Sequence, residues 1–87
     1  MFYFYIFRCK DGTLYSGSTK NIGAREQLHN CGQGSKYVWA RGGGRIIYFE
    51  KFKSLGKAMR REVEVKKWPR QKKKLLIKAG LTRRRKL

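Results

Sequence analysis

Six side chains of this 87-residue chain are of the types that hold or hydrolyse a phosphate: Tyr5, Tyr15, Arg25, His29, Tyr37 and Glu62. Glu62 is the most informative, because an acid at its position is costly. Residues 55–68, LGKAMRREVEVKKW, predict a helix. At about 100° per residue, Leu55, Ala58, Met59, Val63 and Val65 fall on one broad apolar arc. Glu62 lies inside that arc beside Ala58 and Val65, while Glu64 points to the basic opposite side. A carboxylate on a core-facing stripe needs a cation or a network of donors. The sequence offers two solutions. One is an ion pair with Arg25 or Arg61. The other is a hard divalent ion such as Mg²⁺, which accepts one carboxylate and keeps its remaining waters.

Hydrolysis of a phosphodiester needs a water that loses a proton and a cation facing the phosphoryl oxygens. Arg25 can fork onto a phosphate, and a tyrosine or His29 can manage the proton. Each residue also has a plainer reading. Tyr5 and Tyr15 can be strand-face packing, Arg25 a simple phosphate contact, and His29 a structural imidazole. Tyr37 and Trp39 can stack on bases or pin a glycine-rich loop. Asp11 reads as turn chemistry, Glu26 as a helix-surface acid and Glu50 as part of a strand, which leaves Glu62 as the candidate metal ligand. Cys9 and Cys31 are too few for a disulfide framework and match no zinc spacing. They read as reduced thiols of a cytoplasmic protein.

The elements that must carry these groups can be read in order. Residues 2–8 (FYFYIFR) are aromatic and β-branched, hence strand-like, and residues 13–17 (TLYSG) return after a turn at residues 9–12. Loop length decides which side chains share a face. A two-residue Asp-Gly loop puts Tyr5 and Tyr15 on opposite faces. A three-residue loop with Gly12 left-handed puts them together, and the sequence permits both. Thr19 or Asn21 can cap a short helix to about His29, with Ile22, Arg25 and His29 on one side. Gly23 weakens that helix by roughly 1 kcal/mol relative to Ala. Residues 30–44 are glycine-rich and read as loop, and residues 45–52 (RIIYFEKF) as a third strand. Pro69 ends the long helix and opens another over residues 70–79, closed at Gly80. Residues 82–87 read as a basic tail.

Charge names the partner class. Lys and Arg total 23 against five acids, a formal net charge of +18. That imbalance implies a polyanion, DNA or RNA. A membrane surface fits poorly, because the basic residues are interleaved with core residues. The apolar opening, MFYFYIF, is too short for a signal-peptide core or a bilayer span. A ribosome-type basic protein has the same charge signature and needs no metal.

Tyr3-Phe4-Tyr5, followed by Tyr15-Ser16-Gly17, resembles the paired signature of GIY-YIG endonuclease domains. Arg25-x-x-x-His29, Lys36-Tyr37 and Ala58-x-x-x-Glu62 continue in that family's order. The stretches DGTLYSGSTKN, KYVWARG and AMRREVEVKKWPRQKK are similar to the small stand-alone bacterial members. The first motif lacks the family's glycine and isoleucine, the second has Ser16 for isoleucine, and only Asn21 and Asn30 are asparagines. The resemblance implies an α+β domain of order ββαβαα over residues 1–80, with a basic tail at 81–87. It implies a three-stranded antiparallel sheet with Tyr5 and Tyr15 on one face, hence the three-residue loop. It also implies a metal-dependent endonuclease acting on duplex or branched DNA, with RNA as an alternative and Mg²⁺ or Mn²⁺ on Glu62. Tyr5 or Tyr15 would activate or position water, Arg25 steady the phosphate, His29 assist proton transfer and Tyr37 add a hydroxyl. Lys36, Arg41, Arg60, Arg61, Lys66, Lys67, Arg70, Lys72, Lys73 and Lys74 would track the nucleic-acid backbone. The same fold without turnover is the rival reading.

Overall fold

The computed structural model describes residues 1–30, 40 and 42–85, the stretch 81–85 as helical backbone alone. Tyr37, Lys36, Arg41, Trp39 and Cys31 lie outside the described residues. The elements are β1 (Phe2–Cys9), β2 (Leu14–Thr19), α1 (Ile22–Asn30), β3 (Gly44–Phe52), α2 (Leu55–Lys66) and α3 (Arg70–Arg85). The order is ββαβαα, and one antiparallel sheet runs β2-β1-β3. No helix among the described residues is long and apolar enough to cross a membrane.

The β1–β2 turn sets which residues share a face. The Cys9 N–H donates to Thr13 O at 2.8 Å and the Gly12 N–H to Cys9 O at 2.9 Å, closing a loop of Lys10, Asp11 and Gly12. Gly12 takes φ +87°, which a glycine adopts without strain. The resulting register pairs Tyr5 with Gly17 and Phe7 with Tyr15. Cross-strand partners share a face, so both tyrosines project from the same side, as the three-residue loop requires.

Each face has its own core. Tyr5, Phe7 and Cys9 pack with Tyr15, Ile22 and Ile46 beneath α1. Phe4, Ile6 and Tyr48 pack with Val65 and Ile77 of α2 and α3. A bulge in β3 after Ile6 and before Phe7 of its partner sends Ile46 to the first core and Ile47 to the second. The Ile46 N–H donates to Glu26 Oε2 at 2.7 Å. Glu26 is therefore no bare surface acid: it satisfies a backbone donor beside the bulge. Asn30 holds Gly44 by two bonds, accepting from its N–H at 2.8 Å and donating to its carbonyl at 2.9 Å. The Asn21 side chain accepts from the Ala24 N–H at 3.0 Å, which makes it the cap of α1.

Two expectations about the helices need correction. The apolar arc of α2 is narrower than periodicity predicts. Ala58 and Val65 are buried, but Leu55, Met59 and Val63 are 44%, 51% and 54% exposed. The helix is turned so that Ala58, Arg61, Glu62 and Val65 approach the sheet, and small Ala58 lets the backbone come close. Arg61 can face inward because Glu50 of β3 meets its guanidinium at 2.9 and 3.2 Å. Ser54 caps this helix by accepting from the Lys57 N–H. The last helix passes through Gly80 and ends at Arg85 instead of stopping at Gly80. A Cβ on Gly80 would stand 2.6 Å from the Tyr48 ring, so this glycine serves close packing and not a helix stop.

Candidate active site

On the α1 side of the sheet, the Tyr5 hydroxyl and His29 Nε2 share a hydrogen bond of 3.0 Å. Both residues are buried, Tyr5 at 2% and His29 at 1% exposure. The alternation of β1 aims Tyr5 at this face, and the i+4 step from Arg25 sets His29 one turn further along α1. Edges of Phe7 and Tyr15 close the imidazole in, with ring centroids at 5.0 and 5.6 Å. An aromatic sleeve of this kind fixes the ring plane and keeps bulk water from it.

Gly17 gives Tyr5 its room. A Cβ there would overlap the Tyr5 hydroxyl and lie 2.6 Å from Cζ. The phenol therefore lies across the backbone of the edge strand β2. A glycine inside a strand marks such a close approach, a signal that the sequence carries at Gly17. Beside it in β2 is Ser18, whose Oγ donates to Glu62 Oε1 at 2.5 Å. Ser18 pairs with Phe4 on the α2 side. Glu62 thus reaches the β2 edge from one side of the sheet, and Tyr5 reaches it from the other. Lys66, one turn on, donates to Glu62 Oε2 at 2.7 Å. The ion pair expected of Glu62 thus forms with Lys66, and neither Arg25 nor Arg61 takes that place. Its side chain is 20% exposed, partly open to solvent.

Electrostatics tie these groups together. Burial pushes the Tyr5 hydroxyl well above the ordinary tyrosine range; Tyr15 and Glu62 add to the rise, and Arg25 opposes it. Tyr5 is a neutral phenol at any physiological pH. Burial, and then the Arg25 guanidinium, hold His29 below the usual imidazole range. His29 is accordingly neutral and able to accept a proton. The structure brings Tyr5, Tyr15, Arg25, His29 and Glu62 into one neighbourhood.

The basic residues divide by what they already touch. Arg61 is committed to Glu50, to Glu64 at 2.8 Å and to the Trp68 ring at 5.0 Å. Its engagement is internal, with an acid of β3 on one side and its own helix on the other. Lys72 also lies over the Trp68 ring, 4.1 Å from its centroid, and Arg70 donates to Gly12 O at 2.9 Å. Arg60, Lys67 and Lys74 are exposed, and Lys73 is half-buried.

Among the described residues no group of three His, Cys, Asp or Glu side chains could hold a metal. Glu62 would hold one as a single carboxylate. That donor set suits Mg²⁺ or Mn²⁺, which fill the rest of their shell with water and phosphate, and it does not suit zinc.

Comparison with known proteins agrees with this fold. The family model described as the GIY-YIG catalytic domain matches residues 1–75. UPF0213 proteins from Staphylococcus aureus strains Mu3 and COL are each 45% identical over 74 residues, covering 85% of this chain and 90% of theirs. The solution NMR structure of a UPF0213 protein from Bacillus halodurans superposes with a TM-score of 0.58 at 41% identity. It covers 92% of this chain and 87% of that one. A catalytic-domain match across most of the chain, a matching fold and these bacterial relatives together show that the protein belongs to the GIY-YIG family of nucleases, which are generally divalent-metal dependent and act on nucleic acid.

Proposed function

We propose that the chain is a divalent-metal-dependent endonuclease that hydrolyses DNA phosphodiester bonds at the β2 edge. The observation that carries this reading is the buried Tyr5–His29 hydrogen bond, set beside Arg25 and across the edge strand from Glu62. Tyr15 lines the same recess through its contact with His29. Tyr37 and its hydroxyl remain part of the proposal on the family resemblance alone.

The chemistry follows from protonation states. Water attacks phosphorus, its oxygen forms a new P–O bond, one proton leaves, and the bond to the departing sugar oxygen breaks. Burial keeps the Tyr5 phenol protonated, so it works as a relay. It accepts the water's proton while passing its own to His29 Nε2. Arg25 serves twice. It forks onto the phosphate, and while it does so the phosphate's charge offsets the guanidinium that depresses His29, making the imidazole a better base once substrate is present. The departing oxygen takes its proton from solvent. A cation on Glu62 would offset negative charge gathering on the phosphoryl and departing oxygens.

The Lys66–Glu62 pair supports a second reading, a DNA- or RNA-binding protein that keeps the fold without turnover. An acid already facing an ammonium has its charge met without a metal. One substitution separates the two. Glu62→Ala is expected to abolish Mg²⁺- or Mn²⁺-dependent nicking of duplex or branched DNA and leave DNA affinity intact or slightly raised. A wild-type protein that nicks neither substrate with either metal sinks the nuclease reading and leaves the binder.

A further inference from the structure

A separate cleft lies on the α2–α3 side of the sheet, at the hairpin end. It has a volume of about 320 Å³ and is lined by four cations, Arg8, Arg70, Lys74 and Lys78. Its apolar lining comes from Leu14, Ile47 and Ile77. Three independent features of the chain assemble it. The β1–β2 register makes Arg8 and Leu14 cross-strand partners on this face. The β3 bulge turns Ile47 toward it. On α3, spacings of i, i+4, i+7 and i+8 place Arg70, Lys74, Ile77 and Lys78 on one stripe. The Arg70 bond to Gly12 O fastens that stripe to the hairpin turn.

We propose that this cleft takes one nucleotide of single-stranded nucleic acid, with its base against the Leu14, Ile47 and Ile77 floor and its phosphate among the four cations. The inference rests on the nucleic-acid substrate of the reading above and adds a second anchoring point to it. A wholly ionic site would have no use for an apolar floor, and an apolar ligand would have no use for a lining of four cations. A nucleotide carries both characters in one unit. Four steps along β2 lead from Leu14 to Ser18, about 13 Å at the strand rise. A strand seated in the cleft can therefore continue along β2 toward Glu62.

The test uses the full chain, ¹⁵N-labelled, at low salt. Thymidine monophosphate is expected to shift the Gly12, Leu14 and Ile47 amides at about one-tenth the concentration that inorganic phosphate requires, a gap of about 1.4 kcal/mol. Thymidine alone is expected to bind more weakly than the monophosphate. If phosphate does as well as the nucleotide, the cleft is a bare anion site and the proposal fails. A second arm compares Arg8→Glu with Lys74→Glu against Lys53→Glu with Lys57→Glu, two double variants of equal charge change. The first pair is expected to weaken binding of an oligothymidine strand by about tenfold more than the second. Equal losses would mean that only net charge matters, and would overturn the assignment. Neither arm depends on cutting, so failure here and failure of the nuclease reading are told apart.

Discussion

At the level of single residues, the candidate site holds two shifted groups, Tyr5 and His29, and an ammonium on Glu62. His29 is held below the ordinary imidazole value of about 6.5 by burial and by Arg25. Below about pH 6.5 the unfolded chain gains a proton that the folded chain resists, so stability is whole above that pH and drains as pH falls toward and through the folded value. Urea denaturation at about pH 7.5 and about pH 5.5 is expected to show a larger acid loss in the wild type than in His29→Gln, which cannot titrate. Equal losses would assign the effect to carboxylates elsewhere. The competing cation is Lys66. Its ammonium rests on the same carboxylate that would receive Mg²⁺, and two cations cannot share that oxygen without repulsion. Lys66→Met is expected to lower the Mg²⁺ concentration giving half-maximal nicking, by about threefold or more. An unchanged or raised requirement would show that Lys66 moves aside at no cost, or that it assists the metal instead of opposing it.

At the level of elements, the site depends on a strand that lacks a side chain at one position. Gly17 leaves a gap that the Tyr5 phenol fills, and no other residue could stand there without displacing it. Gly17→Ala is expected to push the ring off His29, to cost about 1–3 kcal/mol of stability as an overpacked contact, and to depress nicking. Adding Tyr5→Phe removes the oxygen that the new methyl meets first but keeps Cζ, 2.6 Å from it. The double variant should therefore regain part of the lost stability in urea without regaining activity. Recovery of both would mean that the hydroxyl has no part in the chemistry. Much of this element-level layout was legible in the sequence. Alternation in residues 2–8, a turn near Asp11-Gly12 and the i+4 spacing of Arg25 and His29 are local patterns, but they leave the loop length open, and only the family resemblance put both tyrosines on one side. The rotation of α2 was not legible, because it follows from Glu50 on a distant strand welcoming Arg61. Nor was the task of Glu26, since nothing local announces a bulge at Ile46. Gly80 had the look of a helix stop, and only the Tyr48 ring packed against it explains why the helix continues.

For the molecule as a whole, a charge of +18 spread over a body of 32 × 28 × 27 Å guarantees attraction to any polyanion. The useful question is which cations meet phosphate and which hold the fold. The structure divides neighbours on α2. Arg60 is exposed, while Arg61 is folded against Glu50, Glu64 and Trp68. Each phosphate neutralised on duplex DNA adds about −0.9 to the slope of log affinity against log salt. Arg60→Ala is expected to flatten that slope by about one such unit while leaving the urea midpoint in place. Arg61→Ala should do the reverse. It leaves Glu50 half-buried without its guanidinium, lowers stability by on the order of 1–3 kcal/mol, and keeps the slope of the wild type. The two measurements are read on the same pair of proteins, so the assignment does not rest on either alone. Should Arg61→Ala flatten the slope while stability holds, the Glu50 pair must open on binding, and α2 would meet DNA through the face that now packs on the sheet.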